Sequence, residues 1–81
     1  MLVKKDDQVI NLNNVVEFTK KHDDMYFYIH FYFNVCDSDG TQVFTSLLFS
    51  SEKMLDCAFG QLIDMYEAER NVCWLDEEEL I

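Results

Sequence analysis

Tyr26, Tyr28, His30 and Tyr32 stand at every second position of one short stretch, and each carries a ring. If that stretch is a β-strand, alternation sends all four to one face. Such a row could stack the bases of a single-stranded nucleic acid. It could also form a protein contact surface, because tyrosine gives a large contact area at low entropic cost. A second chemical set is acidic. Glu52, Asp56, Asp64 and Glu67 fall on one side of a helical pattern, and Asp76, Glu77, Glu78 and Glu79 follow as a run. Spaced carboxylates could occupy the Lys and Arg side chains with which a partner otherwise holds phosphate.

Charge separates these chemistries. The chain of 81 residues has 16 acids against 6 bases, a formal net charge of −10. Residues 1–51 carry seven acids and four bases, and residues 52–81 carry nine acids and two bases. A surface of this sign repels phosphate, which excludes direct nucleic-acid binding, and it repels an anionic membrane in the same way. Proteins that stack bases set their rings in a basic groove, which is lacking here. The charge also exceeds the roughly 2 to 8 usual for a small soluble domain. The acids are therefore read as contacts for a protein with a basic surface. Tyr26, Tyr28, His30 and Tyr32, together with Trp74, are read as a partner-binding or self-association surface, with a homodimer as the alternative use. A sheet face of this kind can also be covered by the chain's own acidic tail.

Other chemistry finds no support. His22, His30, Cys36, Cys57 and Cys73 lack metal-ligand spacing. Asp37-Ser38-Asp39-Gly40 lacks the downstream Glu of a calcium loop. His30 and Cys36 would lie roughly 20 Å apart along one strand, too far to work together. No glycine-rich phosphate loop is present. Neither enzymatic activity nor a metal or cofactor is expected. Three cysteines without a CxxC pair argue against a disulfide framework. The start, MLVKKDDQV, has no apolar stretch of the secretion type, and no apolar run approaches a membrane span. A cytoplasmic location is the expectation.

The elements that must position these groups follow from periodicity. Met25 to Val35, MYFYIHFYFNV, is predicted as a long central strand, with Met25, Phe27, Ile29, Phe31, Phe33 and Val35 on the core face. Leu2–Lys4 and Val9–Leu12 read as a small hairpin about a polar turn. Asn11, Asn13 and Asn14 suit a bend with positive φ. Val15–Lys20 is the next strand, with Val16 and Phe18 on one face and Val15, Glu17 and Thr19 on the other. Ser38-Asp39-Gly40 is read as a three-residue hairpin loop. That places Val35 opposite Val43, Phe33 opposite Thr45, Phe31 opposite Leu47 and Ile29 opposite Phe49. Phe44 and Leu48 then join the tyrosine face. An Asp-Gly loop would reverse the parity.

Ser50 or Ser51 should cap a helix from Glu52 to about Glu69, with Leu55, Ala58, Phe59, Leu62 and Tyr66 buried and Ile63 beside them. Glu52, Asp56, Gly60, Asp64 and Glu67 line its outer side. Asn71 is the expected left-handed cap. Val72–Leu75 reads as a docked tail anchored by Trp74, or as a partner-binding peptide. The expected fold is α+β: one domain, 1–81, with a β meander (1–49) forming a small antiparallel sheet of four to five strands, one main helix (51–70) on one face and a short acidic C-terminal segment (71–81).

In size, charge and element order the whole chain resembles small acidic phage-encoded inhibitors of the anti-CRISPR and DNA-mimic type. The resemblance implies a non-enzymatic inhibitor that blocks a basic nucleic-acid-binding surface. No motif carries the likeness, so it assigns a role to no individual residue. The alternative is a homodimeric structural or accessory protein of bacterial or phage origin, joined through the tyrosine face.

Overall fold

The alternating aromatic stretch forms the middle strand of an antiparallel sheet. The computed structural model describes residues 1–80 and, at Glu79, the backbone alone. Its elements are β1 (Leu2–Lys5), β2 (Gln8–Asn11), a 3₁₀ turn (Leu12–Asn14), β3 (Val15–His22), β4 (Phe27–Cys36), β5 (Gln42–Phe49), α1 (Glu52–Glu67), β6 (Val72–Trp74) and α2 (Glu77–Leu80). The fold is α+β, but the six strands form two three-stranded sheets, ordered β2-β1-β6 and β3-β4-β5, rather than one sheet of four to five strands. The extra strand is β6, which pairs in parallel with β1 and aligns Val3 with Cys73.

β4 begins two residues later than the alternation suggests. The Asp23 carboxylate accepts the N–H groups of Met25 and Tyr26, holding both in a turn, and Met25 is exposed. Asp37 and Thr41 close the β4–β5 hairpin as expected, and Gly40 takes the left-handed position at φ 80°. The expected register holds beside this loop, where Cys36 faces Gln42. An irregularity between Tyr32 and Cys36 then shifts it, so that Phe31 faces Thr45, Ile29 faces Leu47 and Phe27 faces Phe49. The shift is two residues, so parity survives, and Leu47 and Phe49 still enter the core.

A bulge at Val15–Glu17 reorders the start of β3. Val15 packs against the core and Val16 is exposed, the reverse of simple alternation. The asparagines do not use positive φ. Asn11 caps the 3₁₀ turn by accepting the N–H of Asn13, while among the described residues Asp6 and Glu69 are the non-glycine residues with positive φ.

α1 packs on one face of the β3-β4-β5 sheet and also touches β6 and α2. Ser51 Oγ accepts the Met54 N–H at 3.2 Å and starts the helix. Its buried residues are Leu55, Ala58, Leu62 and Met65. Met65 replaces Tyr66 in the stripe because α1 meets elements of both sheets, which turns the buried arc toward β6. The helix ends at Ala68, with Glu69 rather than Asn71 in the left-handed cap. Ile29, Phe31, Leu47, Leu55, Leu62, Val3 and Leu75 are buried in one core cluster that joins the two sheets through the helix.

Candidate functional site

α1 covers one face of the β3-β4-β5 sheet, and the opposite face is open. Cross-strand pairing fixes what it displays. Tyr28 lies between Lys21 and Leu48, His30 between Thr19 and Ser46, and Tyr32 between Glu17 and Phe44. Paired residues share a face, so these nine form a three-by-three array. Its rings interlock. His30 lies 4.7 Å from Tyr28, 4.8 Å from Phe44 and 5.8 Å from Tyr32, and Tyr32 lies 5.6 Å from Phe44. Packing half-buries Tyr28, His30 and Tyr32, while Phe44 and Leu48 are 50% and 52% exposed. Single exposed apolar residues need no explanation, but a contiguous set does.

Nδ1 of His30 sits 2.6 Å from Ser46 Oγ. Burial holds the imidazole below its usual pKa, and the Lys21 ammonium pushes it the same way. Beside it, Thr19 Oγ1 is buried without a hydrogen-bond partner. At one end of the array Tyr26, Tyr28, His30, Ser46, Leu48 and Asp23 line a shallow hollow of about 270 Å³. Tyr26 thus joins the tyrosine row from the turn, not from the strand.

Trp74 does not join it. It belongs to the other sheet, is 54% exposed and carries the Lys4 ammonium 4.7 Å above its ring. The segment does dock, but Cys73 and Leu75 are its buried anchors, because a strand of this parity sends Trp74 outward. Among the described residues the acidic tail does not cover the tyrosine face either. β6 pairs with β1, and α2 packs on α1.

The predicted acids separate into two groups. Glu52, Asp56, Asp64 and Glu67 are all exposed on α1. Asp56 is engaged within the chain, 3.0 Å from Lys20 Nζ, whereas no ion pair involving Glu52, Asp64 or Glu67 occurs among the described residues. Asp76, Glu77 and Glu78 meet Asp6, Asp7 and Lys5 around a hollow of about 480 Å³. There Asp76 Oδ1 accepts the Asp6 N–H, and Glu77 Oε1 accepts the Ser50 N–H. These two carboxylates therefore tie the last segment to the body. The side chain of Glu79 lies outside the described residues.

Sequence reasoning missed Asp6 and Asp7 as neighbours of the acidic run, because they meet it only through the parallel β1–β6 pairing. It also missed the polar edge of the aromatic face. Glu17 and Lys21 are visible as alternating residues, but only the β3–β4 register sets them beside Tyr32 and Tyr28. A groove of about 530 Å³ runs between β3 and α1, bounded by residues 15–18 of β3 and by Ile63, Tyr66 and Glu67 of α1.

Among the described residues, no group of three or more His, Cys, Asp or Glu side chains is placed to hold a metal ion, and no helix is long and apolar enough to cross a membrane. No protein-family model, curated protein or solved structure matches this chain.

Proposed function

We propose that this chain is a non-enzymatic protein-binding module. The observation that carries the reading is the uncovered aromatic array on one side of a sheet whose other side is sealed by an acidic helix. Tyrosine and phenylalanine in a contiguous, partly preorganised cluster supply what a protein contact needs at its centre. The net charge of −10 opposes a phosphate backbone.

In its finer form the module is an acidic inhibitor that occupies a basic nucleic-acid-binding surface of its partner. The support is the outer side of α1. Glu52, Asp64 and Glu67 are exposed. They span about 22 Å of helix axis at 1.5 Å per residue. The helix holds the backbone positions of these acids at fixed spacing, so only side-chain freedom is lost when basic side chains meet them. Asp56 contributes less, being already paired with Lys20.

The test is capture from lysate on the immobilised chain, washed at low and high salt, with the retained proteins identified by mass spectrometry. A nucleic-acid-binding protein that competing DNA or RNA displaces is the expected result. Replacing Glu52, Asp64 and Glu67 together by Gln should weaken that capture at least about tenfold and flatten its salt dependence. Equal capture by the variant would remove the acidic reading.

A further inference from the structure

The open face of the β3-β4-β5 sheet is complementary to itself. Lys21 stands at one end of its β3 edge and Glu17 at the other, with the Thr19–His30–Ser46 row between them. We propose that a second copy of this chain covers the face, related by a two-fold axis that runs along this row. The proposal rests on reading the aromatic array as a binding surface, and it names the occupant.

Charge selects the axis. A two-fold rotation about the His30 row brings Lys21 opposite Glu17 of the partner subunit, and the reverse, so the dimer carries two ion pairs at its rim. The other axis in the plane of the face, parallel to β4, would set Lys21 against the partner's Leu48 and Glu17 against the partner's Phe44. Both charges would then lose water without gaining a counter-charge, which is strongly unfavourable. The first arrangement keeps polar groups at the edge and rings at the centre, the usual anatomy of an interface. It also packs the two sheets with nearly aligned strands, as face-to-face sheets prefer.

Shape agrees with charge. Phe44 projects from one end of the array with half its surface exposed. The hollow bounded by Tyr26, Tyr28, His30 and Leu48 lies at the other end. The same rotation sets Phe44 of each copy over the hollow of its partner. No described segment of the chain's own competes for this place, since β6 and α2 pack elsewhere. Three strands at about 4.8 Å spacing and a matching length of strand give a small footprint, below that of stable specific interfaces and suited to a transient one. The dimer is therefore weak and reversible, and it grows in with rising protein concentration.

Sedimentation velocity across a dilution series tests this. The wild-type chain should pass from monomer to dimer with rising concentration. Lys21→Glu alone and Glu17→Lys alone should each weaken dimerisation about tenfold, by setting like charges against each other. The double exchange should restore it, and Phe44→Asp should abolish it. Circular dichroism on each variant separates dissociation from unfolding. A strict monomer at millimolar concentration, or a double exchange that fails to rescue two weakened single variants, overturns the dimer. A monomer whose capture of another protein is lost in Phe44→Asp overturns the dimer and leaves the face as a binding surface. A monomer whose capture ignores Phe44→Asp overturns both.

Discussion

Nδ1 of His30 and Oγ of Ser46 lie 2.6 Å apart, linking the centre of β4 to β5 on the face that α1 leaves open. The ring is walled by Tyr28, Tyr32 and Phe44, and burial lowers its pKa, with Lys21 as the second cause. The ionisable groups around it are Lys21 and Glu17 on β3 and Tyr28 and Tyr32 on β4. β5 contributes Phe44, Ser46 and Leu48, none of which ionises, and Asp23 borders the neighbouring hollow. A histidine held low in the folded state takes its proton later than the unfolded chain does. Its contribution to stability is complete above the unfolded value, about 6.5, and is lost as the pH falls through the lower folded value. Thermal melts at stepped pH should show Tm falling more steeply below about pH 6.5 in the wild type than in His30→Gln. Parallel profiles for the two proteins would show that His30 titrates without consequence.

Thr19 stands opposite His30, and its hydroxyl is the one buried side-chain oxygen or nitrogen without a partner among the described residues. A buried hydroxyl that forms no hydrogen bond has lost its water for nothing. Thr19→Val keeps the branched shape and the strand propensity while removing that cost. It should stabilise the fold by about 1 kcal/mol, raising Tm by roughly 4 to 8 °C. Calorimetry decides the sign. A loss of stability would mean that the hydroxyl is satisfied by solvent after all.

Period-two alternation in the chain turns Phe27, Ile29, Phe31, Leu47 and Phe49 toward the core, and it was legible because parity is a local property. Val35 and Val43, expected on the same face, are exposed at the hairpin end of the two strands. Register was not legible. The irregularity between Tyr32 and Cys36 slides β5 by two residues and leaves every face unchanged, so no pattern of apolar residues can report it. The same limit explains β6. Val72-Cys73-Trp74 is too short to announce a strand, and its parallel pairing with β1 joins residues about seventy positions apart. Once it pairs, the largest side chain faces out, and the small Cys73 fills the core. The acids were legible as a stripe on α1, but Lys20's engagement of Asp56 depends on how the helix crosses β3. For the Asp6–Glu78 hollow, proximity comes entirely from tertiary pairing.

The two glycines should respond oppositely to the same substitution. A side-chain carbon added at Gly60 or at Gly40 meets no atom within 4 Å, so crowding decides neither case. Gly60 has ordinary helical geometry in the middle of α1, where Ala is favoured by about 1 kcal/mol. Gly40 has φ +80°, a conformation that strains residues with a side chain. Chemical denaturation should show Gly60→Ala raising the midpoint and Gly40→Ala lowering it by a comparable amount. A gain at Gly40 would mean that the hairpin loop relaxes into a different turn.

Reactivity should rank the cysteines by environment. Cys36 is exposed at the end of β4, Cys57 is half-buried on α1, and Cys73 is buried on β6. Burial pushes the Cys73 thiol above its usual pKa. Arg70 opposes the shift and Asp64 adds to it. Since the thiolate is the nucleophile, Cys73 is both hidden and held in its unreactive form. Timed alkylation with iodoacetamide, read by peptide mass spectrometry, should modify Cys36 first and Cys57 more slowly. Cys73 should react only at the rate at which β6 leaves β1. Because Leu75 lies in the same core and its N–H bonds to the Lys4 carbonyl, that release requires the last segment to open as a unit. Leu75→Ala should therefore speed Cys73 labelling while leaving Cys36 unchanged. If Cys73 instead reacted as fast as Cys36 in the wild type, β6 would not be a stable part of the sheet in solution.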